Sequence, residues 1–185
     1  MDCSDAVDQI VELEKEMFLA VRTDGPCSCQ ADTAGFDFHR RVQFASWNEA
    51  SLKSYLRHLQ VSRDKGINLM TIKYARMQNL IPPYSNNPLI PVLARQMTAW
   101  QQQMQEVYPR LMSRARPVEE DEGDFRSFLT YTLGELETYS DETLENLYAL
   151  HQRCIAQNIS LSEVSYVYMA HALGFGSISE MEQQL

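Results

Sequence analysis

No run of apolar residues in this chain is long enough to span a bilayer, so a helical membrane protein is excluded. Basic charge is scarce: 16 Lys and Arg stand against 25 Asp and Glu, a formal net charge of −9. That field repels phosphate backbones and anionic lipid surfaces, so neither nucleic acid nor a membrane is expected as a partner. The opening residues Met1-Asp2-Cys3-Ser4-Asp5 lack the basic start and apolar stretch of a secretory signal, and a cytoplasmic location is the default expectation. There are only four cysteines: Cys3, Cys27, Cys29 and Cys154. Cys27 and Cys29 are too close for an unstrained mutual disulfide, and no second paired cluster gives the spacing of a metal site. Free thiols and no metal are the expectation. The chain also lacks a phosphate-cradling glycine loop, a nucleophile elbow, a metalloprotease signature and the Glu-x-x-His pairs of a di-iron bundle. No cofactor is expected. Period-two alternation is missing too, which argues against strands.

What the chain does have is helix punctuation, and it occurs nearly twice. At an offset of 92, Leu52 meets Leu144, Gln60 meets Gln152, Leu69 meets Leu161, Tyr74 meets Tyr166 and Met77 meets Met169. Gly66 and Asn158, residues that tolerate the left-handed conformation, each follow a helical run. Asn48 and Ser140 each precede one, where a side-chain oxygen can accept from an orphan backbone N–H. The spacing predicts helices over 5–22, 35–45, 48–66, 68–79, 89–108, 125–138, 140–158 and 160–174, with a last turn from Ser177. Loops are expected over 23–34 and 110–124. The fold class that follows is all-α: two pseudo-repeated helical modules, about 5–80 and 88–174, packed as one domain with a short C-terminal helix at 177–185.

Chemistry is sought where polar residues break this pattern. Glu14 falls near the middle of the first helix's apolar stripe, between Ile10 and Met17, while Asp8, Glu12 and Glu16 project away. A buried carboxylate needs a cation, a hydrogen bond or a proton. Arg40 and Gln43 lie on a short helix with apolar residues on two sides, and Arg40 is a natural partner for Glu14 beside Phe36 and Trp47. Such a pair either holds the core or floors a small pocket. His151 occupies the stripe position equivalent to Leu59. Lys73 beside Tyr74 could place a cation near the module interface, with a surface position as its default, and Glu135 and Glu137, flanking Leu136, point to different sides. Tyr131, Tyr139, Tyr148, Tyr166 and Tyr168 read as core residues with polar tips.

Several of these pieces, in this order, resemble a bacterial family of unknown function, domain of unknown function 4125. They are Glu14-Lys15-Glu16-Met17-Phe18, Ser28-Cys29-Gln30, Arg40 with Gln43-Phe44 and Trp47, Ser54-Tyr55, Asn68-Leu69, Lys73-Tyr74-Ala75, Tyr108-Pro109, Arg116-Pro117, and Gly134 through Ser140. The chain departs from that pattern at Pro26-Cys27 and Ala115. The resemblance implies no activity; it implies that these polar residues belong to a recurring arrangement.

The leading expectation is a buried polar site for a small organic molecule. If the protein is an enzyme, cofactor-free acid/base chemistry of the lyase or isomerase type follows, with Glu14 as acid/base and Arg40 as the orienting group. Cys29 is a nucleophile candidate if a positive neighbour lowers its pKa. Gln43, Trp47, Tyr74, Tyr139 and His151 are the expected ligand-binding residues. The competing expectation is a non-enzymatic module in which Glu14 and Arg40 are structural and a Met- and Tyr-lined groove takes a protein partner.

Overall fold

Helices in this protein begin and end where side chains or left-handed residues take over the backbone groups that a helix leaves unpaired. The computed structural model describes residues 2–22, 28–121 and 126–185, and of Ser28 and Cys29 the backbone alone. The chain is all-helical: α1 (Cys3–Leu19), α2 (Ser28–Ala31), α3 (Thr33–Phe44), α4 (Glu49–Asp64), α5 (Leu69–Met77), α6 (Leu89–Val107), α7 (Pro109–Met112), α8 (Phe128–Leu136), α9 (Asp141–Ala156), α10 (Leu161–Ala172) and α11 (Ile178–Gln184). No strand occurs among the described residues. None of the helices searched there is long and apolar enough to cross a membrane.

The predicted caps are in place. Asn48 Oδ1 accepts from the Ser51 N–H at 3.0 Å, and Ser140 Oγ from the Thr143 N–H at 3.2 Å. Asn68, Ser160 and Ser177 cap α5, α10 and α11 in the same way. Gly66 and Asn158 have φ of 69° and 55°. Their turns return the next N–H to the helix: Ile67 donates to the Ser62 carbonyl and Ile159 to the Cys154 carbonyl, both at 2.8 Å.

Packing arranges these helices around a main core. α1 rests on α3, α4 and α5; α6 rests on α8, α9 and α10. Contacts α4–α9, α5–α8 and α3–α10 join the two sets. Ile10, Leu52, Tyr55, Leu59, Leu93 and Leu144 are almost completely removed from water at the centre. A smaller cluster, including Met104, Leu111, Ala170, Ile178 and Met181, ties α6, α7, α10 and α11 together. Gly134 lets α8 approach α5: a Cβ there would lie 2.9 Å from Met77 Cγ and 3.3 Å from the Lys73 carbonyl oxygen. This closeness brings Lys73 within reach of α8.

The structure corrects several boundaries. The segment expected to be a loop from Arg110 begins as α7. Pro109 opens that turn, and the α11 carboxylate of Glu182 accepts from the Arg110 and Leu111 N–H groups at 2.9 and 2.7 Å. A long-range acid therefore caps a helix that local sequence does not announce. α2 interrupts the other expected loop, and α3 starts early because Asp32 accepts from the Gly35 N–H at 2.8 Å. The residues around Pro26-Cys27 and the start of the 125–138 prediction lie outside the described residues. Tyr148 and Tyr168, read from the sequence as core residues, are exposed, as are Val107 and Ile155.

Candidate functional site

α1, α3, α4, α5 and α8 each send a polar side chain to one place in the interior. Glu14 is 0% exposed, Arg40 3%, Lys73 2% and Glu135 4%. Two carboxylates thus face two cations, and the charges balance without solvent.

Arg40 is the hub. Its Nε donates to Glu14 Oε2 at 2.6 Å and its Nη2 to Glu14 Oε1 at 2.5 Å, a two-pronged pairing of guanidinium and carboxylate. Nη2 also donates to Glu135 Oε1 at 2.7 Å. Nη1 donates to Gln43 Oε1 at 2.6 Å and to the Tyr131 hydroxyl at 3.3 Å. Tyr55 donates to Glu14 Oε1 at 2.6 Å. Tyr139 and Gln43 Nε2 both donate to Glu135 Oε1 at 2.7 Å. Lys73 Nζ donates to Glu135 Oε2 at 3.0 Å and to the Tyr131 hydroxyl at 2.7 Å. An aromatic layer of Phe44, Trp47, Tyr55 and Tyr139 lies against this cluster, with ring centroids 4.8 to 5.8 Å apart.

The surroundings set the ionisation. Burial pushes the Glu135 carboxyl up, but Arg40 and then Lys73 overcome it and hold it well below the ordinary range. Burial pulls the Lys73 ammonium down, yet Glu135 more than restores it, so it stays charged. The hydroxyls of Tyr55 and Tyr139 are driven up by burial and by the carboxylate each one binds, Glu14 and Glu135 respectively. They are donors, not phenolates.

One group in this cluster is incompletely used. The Tyr131 oxygen accepts from both Lys73 and Arg40, while its own proton has no acceptor among the described residues. Tyr131 is half-buried. Lys73 Nζ sits 3.8 Å from its ring centroid, and the exposed Arg116 guanidinium 4.9 Å.

The expected residues divide into three groups. Glu14, Arg40, Gln43 and Tyr139 come together, with Trp47 in the aromatic wall and Tyr74 beside Lys73. His151 lies elsewhere, between α6 and α9, its ring 4.9 Å from that of Trp100. Cys29 belongs to α2, and its side chain lies outside the described residues. Sequence reasoning did not place Lys73, Glu135, Tyr131 or Tyr55 among the site residues. The signals were present: Lys73 shares a helical face with Leu69, Met70 and Met77, and Glu135 stands 92 residues after Gln43. Glu137 does point elsewhere, pairing with Arg76 and accepting from the Tyr84 N–H, which fastens the segment between α5 and α6.

The family model described as protein of unknown function (DUF4125) matches residues 4–183. The chain belongs to the DUF4125 family. Among curated proteins and among solved structures there is no match. In this DUF4125 protein, the buried cluster joins five helices through ion pairs and hydrogen bonds.

Two expectations follow. Arg40→Met leaves the buried Glu14 without a cation and Glu135 with Lys73 alone, and is expected to cost about 3–5 kcal/mol in chemical denaturation. Arg57→Met, which breaks an exposed pair with Glu142, should cost under about 1 kcal/mol. Equal costs would contradict the network. Burial lowers the His151 pKa from 6.5 to about 4. A histidine kept neutral by folding stabilises fully above 6.5, and that contribution is lost as pH falls toward 4. Between those pH values, the stability difference between His151→Phe and the native chain should move in favour of the variant by on the order of 3 kcal/mol. A difference that stays flat with pH would contradict it.

Proposed function

We propose that this protein binds a small organic molecule through an oxygen, carbonyl or carboxylate, at the half-buried rim formed by Tyr131, Gln43, Tyr74 and Arg116. What supports it is the half-buried Tyr131 hydroxyl, which accepts from two cations while its own proton has no acceptor among the described residues. A ligand oxygen accepting that proton would lie near the Arg116 guanidinium, a cation outside the balanced set of Arg40, Lys73, Glu14 and Glu135, which suits negative charge. Both Glu14 oxygens are already engaged by Arg40 and Tyr55, so Glu14 and Arg40 are positioning residues in this proposal. If the ligand is turned over, Tyr131 is the group placed to exchange a proton with it, cofactor-free and in the manner of a lyase or isomerase.

The proposal includes the two-module architecture. α4 and α9 start and end 92 residues apart, and α5 and α10 start 92 apart. Helix α1 with its neighbours α3, α4 and α5 parallels α6 with α8, α9 and α10, and the cross-contacts α5–α8 and α3–α10 are equivalent under that offset. Gln43 and Glu135 are 92 apart and hydrogen-bonded to each other; Trp47 and Tyr139 are 92 apart and meet edge to face at 5.6 Å. Equivalent residues touch where a pseudo-twofold axis passes. Gln opposite Glu on such an axis avoids two facing carboxylates.

Thermal shift with pyruvate, 2-oxoglutarate and benzoate tests the binding proposal. At least one probe is expected to raise the melting temperature saturably in the native chain and not in Tyr131→Phe, whose own stability should change by about 1 kcal/mol. No stabilisation by any probe, or equal stabilisation of the variant, would overturn it.

A further inference from the structure

A second place in the fold combines open space with unused polar groups, and it shares no residue with the buried network. A groove of about 280 Å³ lies between α6 and α9, lined among others by Val92, Arg95, Gln96, Tyr148, His151 and Ile155. Its apolar walls are unusually open for large side chains: Val92 is 47% exposed and Ile155 46%. Its second feature is His151, only 4% exposed, whose ring nitrogens have no hydrogen-bond partner among the described residues. A buried polar atom without a partner is costly. Nδ1 is the sealed nitrogen, and it is least costly as a bare acceptor, which leaves the imidazole proton on Nε2 as a donor. Arg95, exposed on the same side of α6, makes no ion pair among the described residues.

We propose that this groove binds a small amphipathic carboxylate, its apolar body against Val92, Tyr148 and Ile155 and its carboxylate toward Arg95 and His151. The apolar body would cover side chains that otherwise face water. The carboxylate would accept a charge-assisted hydrogen bond from Arg95 and a second bond from the imidazole N–H. Trp100, packed on the His151 ring, is a built-in reporter.

Phenylacetate is the probe, with 2-phenylethanol as its uncharged counterpart, and the readout is the NMR shift of the Trp100 indole N–H in the full chain. Phenylacetate is expected to produce a saturable shift below roughly 10 mM, with 2-phenylethanol at least about fivefold weaker. Arg95→Gln and His151→Phe should each weaken phenylacetate by about fivefold or more. Arg95 is exposed, so its variant keeps the test valid even if His151→Phe perturbs packing. Tyr131→Phe should leave the affinity unchanged, which separates this groove from the rim site. Absence of a saturable shift, unaltered affinity in Arg95→Gln, or loss of the signal in Tyr131→Phe would each overturn the proposal.

Discussion

Arg40 carries its charge inside the protein, and the other helices are positioned to make that tolerable. A guanidinium removed from water needs acceptors in the plane of its fork. Here Glu14 from α1, Gln43 from its own helix, and Glu135 and Tyr131 from α8 supply them. Sliding α1 or α8 by a fraction of a turn would leave an ion unpaired in a low-dielectric interior. Hydrophobic burial between these helices is nondirectional and tolerates small shifts. The ion network does not, so it specifies one arrangement of helices that apolar packing alone would leave looser.

The same requirement shapes the candidate site. Glu135 needs more than Arg40, and Lys73 supplies the second cation from α5, which Gly134 lets come close. Lys73 and Arg40 then both point at Tyr131, and the hydroxyl that closes the network on the inside is the one left with an unused proton. The proposed ligand contact is thus a by-product of charge balance. The outer groove on α6 and α9 is built differently: its walls set Val92, Leu93 and Ile155 beside Arg95, Gln96 and Gln152.

Much of the fold was legible because helix ends are chemical events. Asn48, Asn68, Ser140, Ser160 and Ser177 could be placed as caps from residue type alone, as could the turns at Gly66 and Asn158. The turn at Pro109 was not, because its cap comes from Glu182, far along the chain. Glu14 was found as an acid within an apolar stripe, and Arg40 and Gln43 with it. Lys73 occupies the same kind of position, but the default for a lysine is the surface, and burial came from its partners on α8. His151 lies apart from Glu14 and Arg40, because its helical face indicates burial and says nothing about which neighbours share it. Glu135 takes its partners from α3 and α5, a relation between distant segments that no local pattern contains.

The account rests on interior charges held as ions by one another. The side-chain carboxyl carbon of Glu135, followed by NMR as the folded protein is acidified, reports this directly. The ionised signal should persist below the ordinary glutamate value of 4.5 until the protein unfolds, because Arg40 and Lys73 outweigh burial. A midpoint at or above 4.5 in the folded protein would mean that burial wins and that the network does not hold its charge.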